Sequence, residues 1–171
     1  QALKEMRLLV YELRPLALRE VGLVGAVQQR LEAVERRAGV EARLVVDVDA
    51  RPADADALQG EGELELPPAV EEELYRIAEE ALNNALKHAE PTSIVVTIRA
   101  EGDPPEQQVE LEVVDDGLGF DPDATREAGG LGLVSMAQRA EKIDGRLTIH
   151  SVPGEGTTVR VSVSVGDRRS S

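Results

Sequence analysis

The residues best able to do chemistry fall in three short stretches. Glu80, Asn84 and Lys87 lie in a segment, about 69 to 89, whose apolar residues Val70, Leu74, Ile77, Ala78, Ala81, Leu82 and Ala85 recur at helical spacing. At roughly 100° per residue these side chains share one broad face, and Glu73, Glu80, Asn84 and Lys87 share a narrow strip along its border. Glu80 and Asn84 are therefore stacked one helical turn apart. A carboxylate, an amide oxygen and an ammonium on one edge can coordinate Mg2+ and meet phosphate oxygens. Magnesium takes a few hard oxygen ligands and leaves its other positions to phosphates and water. Asn83 points roughly 100° away from Asn84 and is the poorer ligand candidate. The ordinary alternative is a surface helix with a charged border. Only the pair of mid-helix asparagines, a residue of middling helix propensity, stands against it.

The second stretch, Val113-Val114-Asp115-Asp116-Gly117-Leu118-Gly119-Phe120, ends an apolar strand pattern with a carboxylate and two spaced glycines. A buried carboxylate at a strand end can accept a hydrogen bond from the exocyclic amine of adenine, and the glycines let the backbone approach a flat ring. An Asp-Gly turn is the plain alternative. In the third stretch, Gly129-Gly130-Leu131-Gly132-Leu133 opens a helix, where free N–H groups and the positive end of the dipole favour phosphate. No Gly-Lys-Ser/Thr follows, so it is not a P-loop. No strand immediately precedes it, so it is not the dinucleotide fingerprint. Gly154-Glu155-Gly156-Thr157-Thr158 reads first as a hairpin turn. There Thr157 could add a hydroxyl to a base or phosphate site.

The elements that must position these residues are legible from periodicity. Leu3, Met6, Leu9, Val10 and Leu13 predict a helix that Pro15 stops, and Val24, Val27, Leu31 and Val34 predict another, ended by Ala38-Gly39 with glycine as C-cap. A strand is expected at Leu44 to Val48, then an acidic loop over 50 to 66. Pro67-Pro68 introduces the helix of the first stretch. Strands follow at Ile94 to Ile98 and Val109 to Asp115, joined through Gly102-Asp103-Pro104-Pro105. Residues 117 to 130 show little periodicity. A helix over about 131 to 143 and a hairpin of 146 to 152 with 158 to 165 complete the order. This succession predicts an α+β chain, a two-layer sandwich with a mixed, mostly antiparallel sheet and helices on one face, preceded by an N-terminal helix. The expected divisions are 1–20 as an N-terminal helix, 21–165 as the main domain and 166–171 as a frayed tail.

Bulk composition narrows the function. The 171 residues are 42% hydrophobic, enough for a core, but only 2% aromatic, so base-stacking surfaces for single-stranded nucleic acid are essentially lacking. Nineteen basic against 33 acidic residues give a net charge of −14, which repels polyanions and argues against nucleic acid or anionic lipid as partner. A local nucleotide site survives such a field, because donors and a metal ion overrule the global sign. Cysteine is absent and there are two histidines, so thiolate and multi-histidine metal sites are not expected. No apolar run approaches a membrane span. The opening at Gln1 inside an amphipathic pattern reads as part of something longer.

In order and spacing, Glu80-x-x-x-Asn84-x-x-Lys87-His88, Asp115-x-Gly117-x-Gly119, Gly130-x-Gly132-Leu133 and Gly156-Thr157 resemble the Bergerat-fold ATPases. That superfamily includes histidine kinases, type II topoisomerases, mismatch-repair ATPases and a heat-shock chaperone. The segments LYRIAEEALNNALKHA and GGLGLVSMAQRAEKIDGRLTIHSVPGEGTTVRVSV are similar to sensor kinases that control helix-turn-helix response regulators. The resemblance covers about 64 to 165. More weakly, LKEMRLLVYELRPLALREVGLVGAVQQRL is similar to their second dimerisation helix, which places residues 1–20 as its remnant.

The resemblance implies ATP and Mg2+ as cofactors, with Asp115 on the adenine amino group directly and through a water shared with Thr157. It implies Asn84 on the metal, Lys87 and His88 near the phosphates, and Gly117, Gly119, Gly130, Leu131, Gly132 and Leu133 shaping the pocket and a lid at about 120 to 130. Glu80 is implied as metal support or as general base for an incoming imidazole. The implied reaction is phosphoryl transfer to a histidine of a dimerisation helix, the first of which is not expected in this sequence. Neither His88 nor His150 replaces that acceptor. The implied partners are those helices and a response regulator, in a homodimeric parent whose catalytic part is cytoplasmic. Alternatives are an ATPase using Glu80 to activate water, an anti-sigma-type serine kinase, and a module that binds no nucleotide.

Overall fold

The computed structural model describes residues 15–48, 64–102, 106–127 and 130–166. The expected helix over Leu3 to Leu13, most of the acidic loop over 50 to 66, and residues 167–171 of the tail lie outside them.

Helix α1 (Leu16–Ala38) buries Leu18, Leu23, Ala26, Val27, Leu31 and Val34; of the four residues whose spacing predicted it, Val27, Leu31 and Val34 are buried and Val24 is half-buried. It is interrupted at Gly22, whose φ of 69° and ψ of −174° leave the helical region. At the other end Gly39 adopts a left-handed conformation and its N–H donates to the Glu35 carbonyl, as a C-terminal glycine should. Strand β1 (Glu41–Val48) follows, then α2 (Pro68–Asn84), which continues as a π-helical turn over Ala85–Ala89. Pro68 sits in the first turn of α2, where its missing N–H costs nothing.

Strands β2 (Ser93–Glu101) and β3 (Gln107–Asp115) come next, then a short helix α3 (Pro122–Glu127), helix α4 (Leu131–Lys142), and the hairpin β4 (Arg146–Val152) with β5 (Gly156–Val165). Helix α3 was not expected from the glycine-punctuated segment. Its signal is Asp121-Pro122: the Asp121 carboxylate accepts from the N–H groups of Asp123 and Ala124, and proline fills the first helical position.

The five strands form one sheet in the order β1-β2-β3-β5-β4, with β1 and β2 parallel and every other pair antiparallel. Alternation decides the faces. Ile94, Val96 and Ile98 of β2, Val109, Leu111 and Val113 of β3, and Val159, Val161 and Val163 of β5 point one way and are buried. The layer against them comprises α1, α2 and α4, through residues such as Leu31, Leu74, Ile77, Leu82 and Met136. The other face is polar: Arg99 pairs with Glu110, and Arg160 with Glu110 and Glu112. Helices on one side of a mostly antiparallel sheet are thus what the strand alternation dictates.

Helix α2 is the central element of the helical layer, and Ile77 has no exposed surface at all. Truncating it removes buried methylenes and leaves a hole the sheet cannot collapse into. Ile77→Ala is expected to lower unfolding free energy by about 2–5 kcal/mol, read from the denaturant midpoint at unchanged slope.

Candidate active site

The inner face of the sheet is apolar until its last rung, where β3 ends in Asp115 and β5 begins near Thr157. These two residues are direct cross-strand partners, and both are buried. Because Val109, Leu111 and Val113 face the helices, Asp115 must as well, so the strand period alone carries a carboxylate into the interior. Burial pushes the Asp115 carboxyl above its ordinary range, and neighbouring Asp116 pushes the same way. Hydrogen bonds from the main chain of Gly117 and Thr157 partly oppose the shift. The Gly117 N–H lies 2.9 Å from Oδ1.

Asp116, one residue on, points outward and does something else. It accepts from the Thr92 and Ser93 N–H groups at 2.8 and 2.9 Å and from the Thr92 hydroxyl at 2.5 Å, tying the start of β2 to the end of β3. Those bonds, the Thr92 hydroxyl foremost, hold its carboxyl below the ordinary range.

After Asp116 the chain turns tightly across the end of the π-turn. The Leu118 N–H donates to the Ala89 carbonyl at 2.7 Å, and a side chain at Gly117 would collide with that same carbonyl. Gly119 is constrained twice: its φ of 66° is left-handed, and any Cβ would run into the Val152 carbonyl. Phe120 then enters the site, its N–H held at 2.9 Å by the Ser151 hydroxyl. Ser151 also lies 2.8 Å from the Thr157 hydroxyl and 3.1 Å from the Gly156 carbonyl.

On the helical side, α2 presents Asn84 and Glu80. The N-terminal turn of α4 comes so close that a Cβ on Gly132 would sit 2.5 Å from Glu80 Oε1 and 3.0 and 3.2 Å from the Asn84 amide atoms. The two side chains thus converge on one point beside a helix N-terminus, whose first N–H groups have no partner within the helix. The helices are held together further along by Glu73, which bonds Arg139 at 3.0 Å and lies 3.8 Å from Lys142. Asn83 faces the other way: its amide oxygen accepts from Arg30 of α1 at 3.0 Å. The adjacent asparagines therefore serve different neighbours. Arg30 also acts on Tyr75, whose hydroxyl is pushed up to about 12, chiefly by burial and then by its hydrogen bond to Glu79.

Between sheet and helices lies a cavity of about 360 Å3. Of the residues singled out by sequence, Asn84, His88, Asp115, Gly119, Gly130, Gly132, Leu133 and Thr157 line it. Glu80 stands beside it through Gly132, and Gly117 braces the turn behind it. Lys87 is exposed and outside the lining, although the helical wheel put it on the strip with Glu80 and Asn84. On the wheel the two flank Asn84, His88 about 40° toward the apolar face and Lys87 about 60° away from it, so His88 meets the cavity while Lys87 faces solvent. Leu131 opens α4 through its main chain, and its side chain lies outside the described part.

The lining also includes residues that sequence reasoning missed: Ala81, Ala85, Ala89, Val113, Phe120, Thr125, Met136 and Val159. Their apolar surface suits a flat ring. Ser151 was missed too, although it takes the inward position after Leu147 and Ile149 on β4 with a polar side chain. Within the expected lid, residues 122–127 form α3, Gly130 donates to the Thr125 carbonyl at 3.0 Å, and residues 128 and 129 lie outside the described residues.

The two adjacent aspartates predict opposite pH responses. Asp115 binds its proton more tightly folded than unfolded. Relative to Asp115→Asn, the ligand-free protein should be most stable below the ordinary carboxyl pKa of 3.8 and lose that margin as pH rises through the raised value. Asp116 has the reverse sign: relative to Asp116→Asn, the margin should be full above 3.8 and vanish as pH falls through the lowered value. Melting temperatures of the three proteins from acid to neutral pH check both. Parallel curves would contradict the assignment.

Residues 69–167 match the family model described as histidine kinase-, DNA gyrase B- and HSP90-like ATPase. A sensor-like histidine kinase of Chloroflexus aurantiacus is 32% identical over 94% of this chain and 25% of its own length. The signal transduction histidine-protein kinase/phosphatase DegS of Brevibacillus brevis is 33% identical over 96% of this chain and 38% of its own. The chain thus spans well under half the length of these curated relatives. Among solved structures, the histidine kinase domain of the Erythrobacter litoralis EL346 blue-light activated histidine kinase superposes with a TM-score of 0.60 at 21% identity, covering 84% of this chain and 61% of that one. The mycobacterial sensor histidine kinase MprB gives 0.51 at 22%, over 81% and 91%. The fold is that of histidine kinase catalytic domains, and the chain belongs to the histidine kinase-, DNA gyrase B- and HSP90-like ATPase family.

Proposed function

We propose that the chain binds Mg·ATP in this cavity and transfers the γ-phosphoryl group to a histidine on a dimerisation helix of a two-component sensor kinase. The observation that carries the reading is that Asp115 and Thr157 of the sheet and Asn84 and His88 of the helical layer open into one hollow. Its volume falls within the roughly 300–1,000 Å3 of ordinary ligand pockets. In this reading Asp115 accepts from the adenine amine, with Thr157 beside it. The apolar walls, Val113, Phe120, Met136 and Val159, take the ring. The first turn of α4, from Leu131 to Leu133, offers main-chain N–H groups to phosphate.

The donor set fits magnesium, because Glu80 and Asn84 bring a carboxylate and an amide to one point and both offer hard oxygens. Held there, the ion would neutralise phosphate charge. His88, in the lining, and Lys87, exposed beyond it, stand toward the phosphates in this reading. The acceptor imidazole nitrogen forms a bond to the γ-phosphorus as the bond to the β–γ bridging oxygen breaks and ADP leaves. Positioning supplies most of the rate. Glu80 either supports the ion or takes the imidazole proton. The acceptor is neither His88, which lines the cavity, nor His150, exposed on β4.

In the parent kinase residues 1–20 would end the second dimerisation helix and 21–165 would be the catalytic domain. The parent would be a homodimer, a response regulator would be the downstream partner, and this part would lie in the cytoplasm. No described helix is long and apolar enough to cross a membrane. A second reading, hydrolysis with Glu80 activating water, is favoured by the convergence of Glu80 with Asn84 at the helix N-terminus.

Saturating Mg·ATP, at about 100 times Kd, should stabilise the chain by about 2.7 kcal/mol in thermal melts. Asp115→Asn and Asn84→Ala should each abolish most of that shift while remaining folded. No shift in the native sequence would sink the nucleotide reading. Steady-state phosphate release separates the two chemistries: the kinase reading expects little turnover without a histidine-bearing helix supplied in trans. Robust release that Glu80→Gln eliminates would establish the hydrolytic one.

A further inference from the structure

Strand β1 stands at the edge of the sheet. It pairs with β2 on one side, and among the described residues no strand covers the other. Two hydrogen bonds fix which of its main-chain groups face that open side. The Glu41 N–H donates to the Thr92 carbonyl, toward β2, whereas the Ala42 N–H donates away from it, to Glu35 Oε1 at 3.1 Å. Alternation then turns the N–H and C=O groups of Leu44, Val46 and Val48 to the open edge. Edges of this kind are ordinarily blunted by charge, proline or a bulge in mid-strand. The other edge follows that rule, since β4 exposes Arg146, Thr148 and His150. The middle of β1 instead exposes Val45 and Val46, at 38% and 44%. Arg43 and Asp47 flank Val45 symmetrically, both exposed, and neither has an ion-pair partner among the described residues.

We propose that β1 is a self-complementary docking edge, through which a second copy of this chain pairs antiparallel about a two-fold axis at Val45. An antiparallel ladder sets outward-pointing residues opposite one another, so even-numbered positions must meet even-numbered ones. The two such registers that overlap most of β1 are centred on Leu44 and on Val45. Centred on Leu44, the pairing sets Glu41 against Asp47 of the second copy, and symmetry repeats that like-charge pair. Centred on Val45, it sets Arg43 against Asp47 twice. Opposite charges stabilise a cross-strand pair and like charges destabilise it, so the second register wins. In it Leu44 and Val46 of opposite copies exchange both main-chain bonds, four in all, and Glu35 caps the ladder at Ala42. Arg43, Val45 and Asp47 lie on the outer face of the sheet, beside Val95, Thr97 and Arg99 of β2. There they form non-hydrogen-bonded pairs, whose side chains approach most closely. Every favourable contact is made twice, as a closed two-fold interface requires. Five strands from each copy then form one continuous sheet, and no residue of β1 lines the cavity, so both cavities keep their lining.

The chain has no cysteine, so Val45→Cys places a single thiol on the proposed axis. Non-hydrogen-bonded partners have Cα atoms about 4.5 Å apart, within reach of a disulfide. In oxidised glutathione the full chain carrying Val45→Cys should form a disulfide-linked dimer, and Thr148→Cys, on the other edge strand, should form far less. Adding Arg43→Asp or Asp47→Arg to Val45→Cys puts like charges at both pairs and should slow cross-linking about tenfold. Mixing those two chains restores opposite charges at both pairs and should return the rate to that of Val45→Cys alone. Association through any other part of the chain would not follow that exchange rule. Cross-linking of Val45→Cys no faster than of Thr148→Cys overturns the proposal, as do equal rates in the reversed chains and their mixture. Should Val45→Cys not fold, sedimentation equilibrium of the cysteine-free Arg43→Asp and Asp47→Arg chains decides. A mixture that associates about tenfold more tightly than either chain alone supports the proposal. Three equal association constants refute it.

Discussion

Burial of the Asp115 carboxylate is the constraint around which the site is built. A sheet face that packs against helices is apolar for every rung but the last, and there β3 and β5 place an acid and a hydroxyl opposite each other. The carboxylate is charged at neutral pH only against the penalty of desolvation. Main-chain N–H groups from Gly117 and Thr157 offset part of that penalty, and the tight turn through Gly117 and Gly119 exists to deliver the first of them. In the nucleotide reading proposed above, a ligand amine adds a further hydrogen bond to this carboxylate.

The helical layer meets that carboxylate through an equally close contact. Glycine at position 132 lets the first turn of α4 rest against Glu80 and Asn84, and the Glu73 bonds to Arg139 and Lys142 hold the two helices together further along. These bonds are partly exposed and contribute modestly to stability. Their larger consequence is geometric, since they hold the helix N-terminus beside Glu80 and Asn84. Asn83 adds a link in the other direction, to Arg30 on α1. Helix α1 is thereby bonded to the residue directly preceding Asn84, which ties it to the edge of the cavity.

The ion pairs on the opposite sheet face, among Arg99, Glu110, Glu112 and Arg160, keep that face solvated and leave all apolar packing to one side. A single-sided core forces α1, α2 and α4 into one layer. The cavity then lies where that layer and the sheet end diverge, bounded by the segment from Phe120 through α3 to Gly130.

Much of this was legible in one dimension. Helical spacing in α1, α2 and α4 and alternation in β2, β3 and β5 are local properties, and they gave the elements, their faces and hence Asp115 inward and Asn84 on the border of the core. The Asp121-Pro122 start of α3 was local as well and simply overlooked among the glycines. Other features depend on which residues become neighbours in the packed structure. Lys87, on one strip with Glu80 and Asn84, is left outside because the cavity does not extend to that end of the strip. The Ser151–Thr157–Phe120 junction arises from strand register and a loop crossing, which bring the Ser151 hydroxyl within hydrogen-bond distance of a hydroxyl 6 positions away and a main-chain N–H 31 positions away. Periodicity fixes the direction a side chain faces; only packing of distant segments fixes what it meets there.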